Sequence, residues 1–168
     1  MSEQIYLSLG SNIGDRDANL AGAITILGDY QENDKLRSAS FHNSEPLFNS
    51  EQPEYLNTVV ELNTTFTPFE FLDEIQNIER LLGRPSSHKK NVPRTIDIDI
   101  LTFGDSVLET SELKIPHPGI PFRRFVLVPF KELSPNYIVP GWKTTVKELL
   151  NHCTDKSKVL KHTIKSHA

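Results

Sequence analysis

Apolar and polar residues alternate over positions 4–9, with Ile5, Leu7 and Leu9 on one side, until Gly10-Ser11-Asn12-Ile13-Gly14 breaks the rhythm. The two-residue period predicts a strand, and the break predicts a turn. Leu20, Ala23, Ile24 and Leu27 then recur at helical spacing ahead of Gly28, which predicts a helix from about Asp15 to Leu27. Residues 36–42 and 56–63 are the next strand candidates, separated by a long loop carrying Glu45-Pro46, Asn49-Ser50 and Gln52-Pro53. Loops of that length are often functional. The second helix is the best marked: Thr67 as N-cap, Pro68 at the first helical position, Glu70 as the reciprocal member of a capping box, and Gly83 as its stop. Leu72, Ile75, Ile78 and Leu82 form its expected core stripe, and Gln76 and Glu79 share a neighbouring face. Isoleucines at 96, 98 and 100 restore the strand period. Gly104-Asp105 predicts a hairpin turn, and Pro116-His117-Pro118-Gly119 opens a stretch expected to be irregular as far as Phe125-Val126-Leu127-Val128. Thr145 to Leu150 predicts a short helix, and the polar tail beyond Asp155 receives no assignment.

Strand, helix, strand, strand, helix, strand over residues 4–102 is the order of a ferredoxin-like split βαβ. The expected fold class is therefore α+β: a mainly antiparallel sheet with helices on its faces and a C-terminal extension. At 168 residues the chain fits one domain spanning 1–168. No apolar run approaches the roughly 20 residues of a membrane span, and Met1-Ser2-Glu3-Gln4 does not open like a secretory signal. A cytoplasmic protein without a membrane partner is the expectation. The lone Cys153 excludes an internal disulfide and a cysteine-based zinc site, and a net charge of −4 argues against a nucleic-acid partner.

Candidate chemistry concentrates in one place. Asp97 and Asp99 alternate with the isoleucines, so both carboxylates share one strand face, roughly 7 Å apart. Paired carboxylates suppress each other's ionisation unless a cation joins them, and oxygen-only ligation points to magnesium. A solvated edge-strand face is the competing reading of the same pattern. Immediately upstream, residues 84–94 carry Arg84, Lys89, Lys90 and Arg94 with no acid, bracketed by Pro85 and Pro93. Alone this is a solvated loop. Beside an Asp-x-Asp strand it is a phosphate-binding device, with Arg84 and Arg94 able to form bidentate bonds and the loop expected to order on a polyphosphate. Neither of the two commonest glycine-rich phosphate cradles is present, and no motif for a protein nucleophile appears.

Taken together, Leu9-Gly10-Ser11-Asn12, Tyr55-Leu56-Asn57, Gln76-x-x-Glu79, Gly83-Arg84, Pro93-Arg94-Thr95-Ile96-Asp97-Ile98-Asp99-Ile100-Leu101 and Pro116-His117-Pro118 resemble the 6-hydroxymethyl-7,8-dihydropterin pyrophosphokinase family of folate biosynthesis. The resemblance spans nearly the whole chain and implies a ferredoxin-like fold. It also implies transfer of diphosphate from ATP to a pterin alcohol, with AMP as co-product. Carried over by position, it implies Asp97 and Asp99 as ligands of two magnesium ions and Arg84 and Arg94 as catalytic arginines. Gln76, Glu79, Ile100, His117 and Arg123 fall on the ATP side, and Ser44, Leu47, Tyr55, Asn57 and Phe125 line the pterin slot. ATP and the pterin are the expected partners of a monomeric enzyme. Asn91 and Val92 stand where many members carry tryptophan and glycine, which implies altered kinetics. A two-metal nucleotidyl transferase and a nucleotide-sensing module are the competing readings.

Overall fold

The computed structural model describes residues 2–29, 36–45, 54–83 and 95–163. Its centre is β1 (Glu3–Ser11), which pairs antiparallel with β4 (Tyr55–Thr64) on one side and β5 (Asp97–Phe103) on the other. The sheet continues from β4 through β3 (His42–Ser44) to β8 (Val159–Lys161), giving the order β5-β1-β4-β3-β8, and the short β2 (Arg37–Ser38) also pairs with β4. The first four strands of this order follow the ferredoxin-like arrangement expected from the sequence. A small separate ribbon joins β6 (Leu108–Glu109) to β7 (Lys114–Ile115).

Each sheet face has its own core. Ile5, Leu7, Leu9, Leu56, Val60, Ile98 and Ile100 point to the face covered by α1 (Arg16–Asp29) and α2 (Pro68–Leu81), where they meet Leu20, Leu27, Phe71, Ile75 and Ile78. The capping box of α2 is formed in both directions, Glu70 N to Thr67 Oγ1 at 3.2 Å and Thr67 N to Glu70 Oε1 at 2.8 Å. Gly83 follows α2 at φ +99°. On the opposite face, Tyr6, Val59 and Leu101 pack with α3 (Arg124–Leu133) and α4 (Val146–Asn151).

Four local expectations need correction. The strand expected over 36–42 is two short strands, because Thr58 Oγ1 donates to the Ala39 carbonyl at 2.9 Å and diverts the chain between them. Phe71, not Leu72, is the buried first member of the α2 stripe, while Leu72 and Leu82 sit partly buried at its margin. The stretch expected to be irregular through Val128 is helical from Arg124 onward. Its β-branched residues and Pro129 disguise a helix that buries Val126, Leu127, Pro129 and Phe130 against the second core. The polar tail contributes β8, whose pairing with β3 no local apolar pattern announces.

Candidate active site

Alternation along the sheet divides one face into a core half and a polar half. Tyr6, Val59 and Leu101 occupy the first. Toward the other end of β1, Gly10 pairs with Asp97 on one flank and Asn57 on the other, and Asn57 pairs with His42, so Asp97, Gly10, Asn57 and His42 form one row across four strands. Ser8 faces Asp99 in the neighbouring row. Directly opposite residues of antiparallel strands project to the same side. Both aspartates therefore share a surface with Asn57 while their isoleucine neighbours lie in the helix-covered core.

Glycine at position 10 is required by space. A Cβ there would lie 2.8 Å from Asn57 Nδ2 and 3.3 Å from Tyr55 Cδ1. Asn57 is buried, and its Oδ1 accepts the hydroxyl of buried Ser44. Asn57, Tyr55 and Ser44 thus form one cluster over the bare backbone of Gly10, presenting an aromatic ring and an amide held in a defined orientation.

The aspartate end is braced from behind and from the side. Glu79, buried on α2, accepts the Ile98 N–H at 3.0 Å. Past β7 the Ile115-Pro116 peptide is cis, and His117 N donates to the Leu101 carbonyl at 2.9 Å, which fastens the Pro-His-Pro turn to β5. His117 Nδ1 accepts the Gly119 N–H at 2.9 Å, leaving Nε2 to carry the proton of the neutral ring. Burial, then the Arg123 guanidinium, pushes the imidazole pKa down to about 4, with Asp97 opposing them. His117, Arg123 and Asp97 therefore occupy one electrostatic neighbourhood. The Arg123 guanidinium lies 5.9 Å from the centroid of Phe125, which adjoins the second core.

Arg123 and Phe125 owe their placement partly to a residue that sequence reasoning missed. No side chain of the local sequence caps α3, and Asp155 instead accepts the Arg124 N–H at 2.9 Å from 31 positions downstream. Burial opposes ionisation of this carboxyl, but bonds from the Ser157 and Arg124 amides outweigh it and hold the pKa below the ordinary value. His42, buried beside Asn57 with Nδ1 donating to the Ser40 carbonyl at 2.9 Å, was also missed. The register alone reveals it.

Gln76 is exposed on α2, and the Ile100 side chain is turned into the core on the face away from the aspartates. Arg84, Arg94 and Leu47 lie outside the described residues. The donor set fits magnesium. That ion binds through one or two carboxylates and completes its shell with water and substrate phosphate, and Asp97 and Asp99 are partly exposed oxygen donors on one face. Among the described residues no group of three or more His, Cys, Asp or Glu forms a self-sufficient metal cage.

Known proteins resemble the chain in sequence and in fold. Residues 6–135 match the profile of the family described as 7,8-dihydro-6-hydroxymethylpterin-pyrophosphokinase. Proteins named 2-amino-4-hydroxy-6-hydroxymethyldihydropteridine pyrophosphokinase are similar along most of their length. The Bacillus subtilis protein is 38% identical over 133 residues, covering 79% of each chain, and that of Haemophilus influenzae is 31% identical over 154 residues, covering 92% of this chain and 95% of its own. Among solved structures, Plasmodium falciparum HPPK-DHPS with pterin and p-hydroxybenzoate superposes with a TM-score of 0.70 at 17% identity, over 90% of this chain. The chain spans 42% of that longer protein. The chain belongs to the 7,8-dihydro-6-hydroxymethylpterin-pyrophosphokinase family, enzymes that transfer pyrophosphate from ATP to hydroxymethyldihydropterin in folate biosynthesis.

Proposed function

We propose that the polar half of the sheet face aligns the two substrates for this transfer, with Asp97 and Asp99 holding two magnesium ions together with the phosphates of ATP. The observation that carries the reading is the row Asp97, Gly10, Asn57, which sets carboxylate and amide on one surface of one chain. When bound, magnesium screens the phosphate charge and orients the polyphosphate. Asn57, Ser44 and Tyr55 receive the polar edge of the pterin, Leu47 joins them in lining its slot, and Phe125 offers a stacking face. His117 donates from Nε2 to the nucleotide side, which Arg123, Gln76, Glu79 and the main chain of Ile100 complete. Arg84 and Arg94, both upstream of the aspartate strand in sequence, neutralise charge on the transferring group. The pterin hydroxyl oxygen attacks the β-phosphorus while the bond from that phosphorus to the α–β bridging oxygen breaks; AMP departs with the electron pair, and the hydroxyl proton is released to water. Alignment and charge neutralisation suffice, in keeping with a sequence that carries no motif for a protein nucleophile.

A cytoplasmic monomer of one pyrophosphokinase domain accords with this reading: both ends of the row come from one chain, and buried Cys153 is a free thiol. Incubation with ATP, magnesium and 6-hydroxymethyl-7,8-dihydropterin should give AMP and the pterin diphosphate in equal amounts. Formation of ADP would exclude attack at the β-phosphorus.

A further inference from the structure

Gly119 follows the Pro-His-Pro turn with φ −78° and ψ −13°, ordinary right-handed backbone open to most residues. Conformation therefore does not call for glycine here, yet space does. A Cβ at this position would lie 2.7 Å from Arg123 Nε, 2.8 Å from Cζ and 3.1 Å from Cδ. The guanidinium rests against the bare backbone of the turn, and the ring of Phe125 lies with its centroid 5.9 Å away. The main chain of Gly119 is engaged as well. Its N–H donates to His117 Nδ1 at 2.9 Å, and its carbonyl accepts the Phe122 N–H at 3.0 Å.

We propose that Gly119 is a positioning residue of the nucleotide side of the site: its N–H fixes which nitrogen of His117 carries the proton, and its missing side chain gives Arg123 the space that aims its guanidinium. The inference rests on the reading of His117 and Arg123 as nucleotide contacts. Gly119 acts through both without touching substrate itself. An added methyl group meets the flexible end of Arg123 and not the backbone, so the side chain yields and the turn stays. The N–H that orients His117 survives in any variant except proline, which separates the two tasks.

Calorimetry with the α,β-methylene analogue of ATP and magnesium tests this on the parent protein, Gly119→Ala, Arg123→Ala and the double variant. We expect Gly119→Ala to bind the analogue about tenfold more weakly, the scale of losing one charge-assisted hydrogen bond, with an unchanged thermal midpoint in the absence of nucleotide. The double variant should bind no more weakly than Arg123→Ala alone, because the methyl group acts only by displacing that side chain. In turnover the loss should appear in KM for ATP. Parental affinity in Gly119→Ala together with weakened binding in Arg123→Ala overturns the role of Gly119 and leaves the nucleotide reading standing. Parental affinity in Arg123→Ala overturns the nucleotide reading of that arginine. Losses that add in the double variant, or a lowered thermal midpoint in Gly119→Ala, overturn the route through Arg123.

Discussion

The carboxylate of Glu79 accepts the main-chain N–H of Ile98 at 3.0 Å, joining α2 to the residue between Asp97 and Asp99. Among the described residues β5 is an edge strand, paired on one side with β1. Glu79 supplies, on the Ile98 amide, an acceptor that the edge position does not. The segment bearing both aspartates is thereby held from behind.

Glu79→Leu leaves that buried amide without its acceptor and should lower stability by about 1–3 kcal/mol. Glu79→Gln, which retains a carbonyl oxygen, should lose less. Urea unfolding of the three proteins checks the order. A Leu variant as stable as the parent would remove the bracing role.

Asp97→Asn and Asp99→Asn keep the size of each side chain while removing a charge from the metal-binding face. Each should lower turnover by about a hundredfold or more, since ion-mediated charge stabilisation contributes several kcal/mol to such transfers, and should raise the magnesium concentration needed for half-maximal rate. Steady-state assays across a magnesium series measure both, and a rate within a few-fold of the parent at low magnesium would count against ligation.

Gly10→Ala places a methyl group where the Asn57 amide and Tyr55 ring now sit. Both must move, and Ser44 loses the orientation of its acceptor. Pterin affinity should fall about tenfold, the scale of one misplaced hydrogen-bonding group, with a smaller change in KM for ATP. Fluorescence titration of the pterin in the presence of an ATP analogue reports the first quantity.

His117 carries a pH prediction whose sign follows from its depressed pKa. The folded ring titrates at about 4, below the ordinary 6.5, so between those values the unfolded chain binds a proton that the native protein refuses. The contribution is fully present above pH 6.5 and is lost progressively as pH falls from 6.5 toward 4. His117→Asn, which retains an acceptor for the Gly119 N–H, should flatten that part of the stability profile, as measured by thermal midpoints from pH 4 to 7.

Tyr6 provides the control at the opposite end of the same face. Its hydroxyl donates to Glu61 Oε1 at 2.7 Å and meets Ser134 Oγ at 2.8 Å, within a network that Arg37 closes by pairing with Glu61 at 2.7 Å. Tyr6→Phe should cost about 1 kcal/mol of stability and leave the AMP-forming rate intact. A large loss of activity would show that the two halves of the face are coupled.

Much of this arrangement is legible along the chain because it depends on period and punctuation. The alternation at 96–100 assigns the aspartates to one face, and Thr67-Pro68-Phe69-Glu70 announces a capping box that forms as expected. What escaped depends on distant partners. Asp155 caps a helix 31 residues upstream, β8 pairs with β3 through main-chain bonds, and His42 gains its neighbour Asn57 from strand register. The helix at Arg124–Leu133 was hidden by β-branched residues and a proline whose preferences are overridden by burial against the second core.

The row Asp97, Gly10, Asn57 also works as a ruler. Neighbouring strands stand about 4.8 Å apart, so two steps place the carboxylate position about 10 Å from the amide position. That separation belongs to the sheet's hydrogen-bond ladder and not to any loop. Changing it would require sliding or re-pairing a central strand that both cores grip, which would turn whole sets of apolar side chains toward water. Loops around the site can vary in length and composition while the distance between the two chemical ends of the reaction stays fixed.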